Sequence, residues 1–191
     1  MIVVFGGSFN PPTIAHYEVA KCVLGLPFVQ HLFFVPVGNQ YKKAGLIPAF
    51  HRVRMLEILA DNLPEVTISK IEVEAKRTLK SVETLERLKV EYPDSEFAFV
   101  MGADNLYDLI NWHDYERLVK GFKMIILNRG EFDVHSFIKE NFEFVADNFI
   151  IVDDFTKVDI SSSVYRADPT RSEFLLPEVA NYIRENGLYK N

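Results

Sequence analysis

The stretch Val3-Val4-Phe5-Gly6-Gly7-Ser8-Phe9-Asn10-Pro11-Pro12-Thr13-Ile14-Ala15-His16 constrains this chain more than any other. The apolar, β-branched run over residues 1–5 is too short for a helix and reads as a buried strand. It breaks at Gly6 and Gly7, passes Asn10-Pro11-Pro12, and enters helical spacing over 14–24, with Val19, Ala20, Val23 and Leu24 as the inward stripe. Glycines admit backbone conformations closed to other residues and let a ligand approach the chain. The helix start that follows offers free N–H groups to an anion. Thr13 and His16, three apart, share a face of that helix and would aim donors at an anion resting on the glycine turn. This is a phosphate cradle with a histidine in it. The same residues also describe a plain strand–turn–helix with a capping threonine.

The rest of the chain alternates strands and helices. Residues 31–37 form a second apolar run ending at Gly38, so strand, helix and strand predict a right-handed crossover and a parallel sheet. Ligands of such sheets bind beyond the carboxyl ends of the strands, which puts the loop with Lys42 and Lys43 beside the glycine turn. A helix over 48–62 turns Val53, Leu56, Leu59 and Ala60 inward, and His51 and Arg52 on it, given no catalytic role, could equally be a surface pair. Residues 66–74 read as a strand with a bulge, and Ser81 caps a helix burying Val82, Leu85 and Leu88. The strand over 96–101 runs into Gly102-Ala103-Asp104, where the aspartate suits a ribose hydroxyl or a helix cap. Trp112, the single tryptophan, fits a core anchor or a stacking platform. Further strands are expected over 122–127, stopped by Asn128-Arg129-Gly130, and over 149–152, with a helix over 133–141 between them. Asp159-Ile160-Ser161-Ser162-Ser163 opens a helix carrying Arg166 one turn on, a pattern suited to a triphosphate or simply to a serine cap. A last helix over 176–189 has Pro177 in its first turn and Gly187 at its end.

A chain of 191 residues suits one domain, 1–191, with a helical C-terminal part from about 160 to 191. The net charge of −6 argues against a nucleic-acid partner. No apolar run reaches membrane-spanning length, and the N-terminus lacks the pattern of a signal peptide. Cys22 is the only cysteine, which rules out an internal disulfide and fits a reducing, cytoplasmic setting. The chain shows no cluster of carboxylates spaced for a metal.

The N-terminal stretch resembles the signature of the nucleotidyltransferase superfamily, Gly-Gly-x-Phe-Asp-Pro leading into His/Thr-x-Gly-His. Gly6, Gly7, Phe9, Pro11, Thr13 and His16 fill its places, while Asn10 replaces the aspartate and Ala15 the glycine. Ile160-Ser161-Ser162-Ser163-x-x-Arg166 is similar to the second signature of that superfamily. Several features resemble the bacterial nicotinate-mononucleotide adenylyltransferases: His51-Arg52-x-x-Met55-Leu56, Thr84-Leu85, Gly102-Ala103-Asp104 with Trp112, and the C-terminal helix. Lys80 stands where those relatives carry a tyrosine.

The resemblance implies an α/β fold, a Rossmann-like doubly wound and mostly parallel sheet. It implies transfer of the adenylyl group of ATP to nicotinate mononucleotide, releasing pyrophosphate, with Mg²⁺ arriving on ATP. His16, Thr13, Lys43 and Arg166 would be catalytic. Gly6, Gly7, Ser8, Phe9, Gly102, Asp104, Ile160, Ser161 and Ser162 would hold ATP, and Thr84, Trp112 and Lys42 the acceptor. Pantetheine phosphate or nicotinamide mononucleotide are alternative acceptors, and a nucleotide binder without catalysis is the alternative from another class. The protein would act without nucleic acid or membrane, as a monomer or a homo-oligomer.

Overall fold

The computed structural model describes residues 1–128, 133–153, 155 and 160–190. Among them, six strands form one sheet in the order β3-β2-β1-β4-β5-β6, with every pairing parallel. The strands are β1 (Ile2–Gly7), β2 (His31–Pro36), β3 (Val66–Ile68), β4 (Phe97–Gly102), β5 (Lys123–Leu127) and β6 (Phe149–Val152). The helices are α1 (Ile14–Leu24), α2 (Ala49–Leu59), α3 (Ser81–Glu91), α4 (Ala103–Asp108), α5 (Tyr115–Gly121), α6 (Val134–Asn141), α7 (Ser162–Ala167) and α8 (Pro177–Glu185). This is the expected Rossmann-like, doubly wound α/β architecture.

Parallel strands buried on both faces read as continuous apolar runs, and each run here divides its side chains between two cores. Val3, Leu32, Phe34, Val100 and Ile125 face α1, α2 and α8. Their immediate neighbours Val4, Phe33, Phe99 and Ile126 face α3, α4, α5 and α6. The strand order reverses between β1 and β4. β1 stays in register with β2 as far as Gly7 opposite Pro36, but with β4 only from Ile2 opposite Phe97 to Val4 opposite Phe99. Beyond Val4 the two central strands part, and a crevice opens at their carboxyl ends.

Three local expectations change. Gly6 and Gly7 belong to β1 itself, and neither has a positive φ. Their small size matters instead, since a Cβ on Gly7 would lie 3.0 Å from the Phe9 ring and one on Gly6 3.3 Å from Phe99. β3 ends at Ile68 rather than running to residue 74. The segment after β3 crosses against the loop after β2 instead of pairing on, so close that a Cβ on Gly38 would collide with the Glu72 carbonyl oxygen. Lys80, not Ser81, precedes α3, and its N–H donates to the Glu83 carboxylate at 2.8 Å. The expected stop at Arg129-Gly130 and the start of the serine motif at Asp159 lie outside the described residues. Among the described residues, no helix is long and apolar enough to cross a membrane.

Candidate active site

Two cavities open where β1 and β4 diverge. The first encloses about 380 Å³ between α1, the end of β4 and the start of α7. His16, Ala15, Gly102, Asp104, Ile160, Ser161, Ser162 and Arg166 line it. The second encloses about 520 Å³ on the other side of β1 and is lined by Gly6, Gly7, Tyr41, Glu72, Lys80, Thr84 and Trp112. Ser8 and Lys43 line both. The Lys43 ammonium donates to Ser8 Oγ at 3.0 Å, marking the junction.

His16 is fixed in one form. Its Nδ1 accepts the Thr13 backbone N–H at 2.9 Å and also lies 2.9 Å from Thr13 Oγ1. A ring nitrogen that accepts an N–H carries no proton, so the imidazole proton sits on Nε2. The ring packs edge-on to Phe9, with centroids 5.2 Å apart, and against Phe5 at 5.9 Å. Burial lowers its pKa to about 4, so at neutral pH His16 is an uncharged donor. The expectation for Thr13 changes accordingly. Thr13 is fully buried, caps α1, and turns its hydroxyl to His16 instead of lining either cavity.

The turn after β1 is built from buried side chains. Phe9 has φ 44°, an uncommon conformation for a residue with a side chain, and its ring is sunk among Phe5, Phe34 and His16. Phe9 lines neither cavity, so packing, not contact with a ligand, explains its place in the motif. Arg52 lies beneath the turn at 0% exposure. Its guanidinium donates to the carbonyls of Ile47 at 3.0 Å, Ser8 at 3.0 Å and Val37 at 2.6 Å, tying β1 to the loop after β2. This overturns the surface pairing with His51, whose Nδ1 meets the Tyr182 hydroxyl at 2.9 Å. The sequence held a signal: Arg52 occupies the same helical stripe as Met55, Leu56 and Leu59, and a charge on a buried stripe needs partners.

Arg166 donates to the Asn10 carbonyl at 2.7 Å, which brings the second signature onto the first. Ser161 caps α7 by accepting the Val164 N–H at 3.2 Å, and Ser162 donates to the Pro11 carbonyl at 2.7 Å. The serines therefore orient the α7 N-terminus with their hydroxyls already engaged. Asp104 lies in the first turn of α4, exposed toward the first cavity, with Gly102 preceding the helix. Lys43 has its pKa lowered by partial burial and by its neighbours Arg166 and Arg52. The junction is therefore a focus of positive charge in an acidic protein.

In the second cavity Trp112 sets its edge against Phe99, centroids 6.0 Å apart. Thr84, 2% exposed, donates to Glu72 Oε1 at 2.7 Å. Burial raises the Glu72 carboxyl to about 7, with the Thr84 bond pulling the other way. Lys42 is exposed and lines neither cavity. Glu72 and Tyr41 escaped the sequence reading because they lie in irregular loops, where periodicity says nothing about which side chains face a cavity.

The cytidylyltransferase-like family model matches residues 4–168. A protein of Acholeplasma laidlawii named "Probable nicotinate-nucleotide adenylyltransferase" is 34% identical over 192 residues, covering 100% of this chain and 98% of the relative. One of the same name from Carboxydothermus hydrogenoformans is 31% identical, covering 99% and 98%. Two solved structures of Plasmodium falciparum nicotinic acid mononucleotide adenylyltransferase, one complexed with APC and one with NaAD, superpose with a TM-score of 0.77 at 23% identity. Each superposition covers 98% of this chain and 96% of that one, and at this identity the likeness establishes the fold. Two signatures meeting at one crevice and full-length similarity agree: the chain belongs to the cytidylyltransferase-like family and groups with its nicotinate-nucleotide adenylyltransferases.

Proposed function

We propose that this protein transfers the adenylyl group of MgATP to nicotinate mononucleotide, forming nicotinate adenine dinucleotide and pyrophosphate, with the whole chain working as one nucleotidyltransferase domain. The observation that carries this reading is the pair of cavities sharing Ser8 and Lys43. A reaction joining two nucleotides needs two subsites meeting at one phosphorus, and the junction supplies that point together with its cations. The names of the relatives and the ligands of the structural neighbours support the same assignment.

On this reading ATP occupies the first cavity. Asp104 accepts a ribose hydroxyl, and Ile160, Ser161 and Ser162 present the backbone N–H groups of the α7 start to the triphosphate. The acceptor occupies the second cavity, with its pyridine ring on Trp112 and its phosphate at Ser8. A phosphate oxygen of the mononucleotide attacks the α-phosphorus in line. The bond from that phosphorus to the oxygen bridging the β-phosphorus breaks, and pyrophosphate leaves with the electron pair. His16 Nε2–H donates to a non-bridging α-phosphate oxygen as charge grows there. Because the imidazole is neutral, it stabilises by hydrogen bonding and not as an acid. Lys43 and Arg166 balance the departing pyrophosphate. No side chain forms a covalent intermediate; positioning and charge do the catalysis. On this reading Mg²⁺ enters as part of the substrate, MgATP.

Glu72 favours a second reading, with nicotinamide mononucleotide as acceptor. Once ionised, a carboxylate in this cavity repels the acid group of nicotinate and accepts from the amide. Pyrophosphate release from MgATP, measured with nicotinate mononucleotide, nicotinamide mononucleotide and phosphopantetheine in separate reactions, decides. We expect the first to be preferred by at least about tenfold. Preference for the amide would transfer the assignment to the second reading, and no release with any acceptor would end both.

A further inference from the structure

The C-terminal segment reaches into the motif at the other end of the chain. After α8, Gly187 takes φ 61°, and the N–H groups of Gly187 and Leu188 return to the carbonyls of Arg184 and Ile183 at 3.3 and 3.0 Å. This glycine-dependent closure reverses the chain, and Tyr189 follows at φ 58° with its ring edge-on to Tyr165. The Tyr189 hydroxyl donates to Asn10 Oδ1 at 2.8 Å. Burial holds its pKa far above the ordinary tyrosine value, so it remains a donor.

Asn10 is 0% exposed and joins four segments. Its Oδ1 accepts Tyr189 and, at 3.4 Å, the Ile47 N–H. Its Nδ2 donates to the Gly45 carbonyl at 2.8 Å, and its own carbonyl accepts Arg166. Gly45 and Ile47 belong to the loop that carries Lys43, an otherwise exposed segment whose lysine meets Ser8. Only an amide serves here, because an aspartate would still accept from Tyr189 and Ile47 but could not donate to Gly45.

We propose that Tyr189 is a positioning residue for Lys43: by holding the Asn10 amide, it sets the loop that presents the lysine to the junction of the two cavities. Tyr189 lines neither cavity, so it acts on the site through its neighbours and not by touching a ligand. The effect on turnover rests on the proposed role of Lys43, whereas the ordering of the loop does not.

The test is Tyr189→Phe in the full chain, which keeps the ring and removes the hydroxyl, with Asn10→Asp as a second variant that replaces the Gly45 bond by repulsion between two oxygens. Trypsin should cut after Lys42 and Lys43 about five times faster in both, while cleavage elsewhere stays at the wild-type rate and the melting temperature of Tyr189→Phe falls by no more than a few degrees. Turnover should fall about tenfold with the Michaelis constant for the acceptor unchanged. In a Lys43→Ala background, Tyr189→Phe should cost no further turnover, because the residue through which it acts has gone. Unchanged cleavage at Lys42 and Lys43 overturns the proposal. So does a loss of turnover that persists in full without Lys43, which marks general loosening. If the wild-type protein releases no pyrophosphate, the functional reading fails, and trypsin alone decides whether Tyr189 holds the loop.

Discussion

The two cavities flanking β1 each hold one side chain whose charged form burial disfavours, a base in the first and an acid in the second. In the first, burial against Phe5 and Phe9 keeps His16 from taking up a proton until about pH 4. In the second, burial keeps Glu72 from losing its proton until about pH 7. Burial thus disfavours the charged form of one side chain in each cavity, while Lys43, Arg166 and Arg52 gather positive charge around the shared junction. Desolvation disfavours whichever form is charged, so one physical cause moves a base down and an acid up. The positive charge is thereby concentrated where a triphosphate would be cut.

The first cavity should be the more fragile to single substitutions. His16→Ala removes the Nε2 donor from it, and turnover should drop by about 10²–10³-fold while the melting temperature changes little. Near-normal turnover in that variant would sink the catalytic role of His16. Arg166→Ala should cost about 10- to 100-fold, the range of a lost charge-assisted bond. Its loss should fall on turnover and on the Michaelis constant for MgATP, and a shift confined to the acceptor would place the arginine on the wrong side of the junction.

Substitution in the second cavity should separate from these. Trp112→Ala should raise the Michaelis constant for the mononucleotide about 3- to 10-fold, a range matching the energy of an aromatic pair, and leave that for MgATP unmoved. The edge contact with Phe99 also goes, so some stability is lost as well. Equal weakening of both substrates would mean that Trp112 is a core anchor and not a platform.

The cavities also differ in how they could be read from the chain. The first draws on strand ends and helix starts within three contiguous segments, so that Ser8 and His16, Gly102 and Asp104, and Ile160, Ser161, Ser162 and Arg166, each legible in its own segment, line one cavity. The alternation of apolar runs likewise revealed the parallel sheet, because both faces of β1, β2 and β4 are buried. What stayed hidden was the direction of individual bonds. Spacing put Thr13 beside His16 without showing that its hydroxyl turns inward. The second cavity is walled by the segment after β3, which leaves the sheet at Ile68 and packs its Glu72 carbonyl against Gly38. A local pattern cannot encode a close contact between segments more than thirty residues apart. The Asn10–Tyr189 bond, across 179 positions, is the extreme case.

The comparison sharpens most finely in the dependence of stability on pH. Glu72 has a folded pKa of about 7 against an ordinary value of 4.5. Between those values the folded protein binds more protons than the unfolded chain, so this residue makes stability fall as pH rises. Its contribution is fully present below 4.5 and lost through 7. His16, with a folded pKa of about 4 against 6.5, works the other way: its contribution is present above 6.5 and lost as pH falls toward 4. The two slopes oppose each other over much of the same range, so a pH scan of the wild-type protein hides both. Glu72→Gln separates them. Glutamine keeps an oxygen for the Thr84 hydroxyl but does not titrate, whereas His16 is common to both proteins and cancels in the difference. Measured by urea unfolding, the variant should gain on the wild-type protein by about 1–2 kcal/mol between pH 5 and pH 8. An equal difference at both pH values would show that the Glu72 carboxyl titrates as in water. The second cavity would then hold a full negative charge at neutral pH, and an anionic acceptor would have to overcome it.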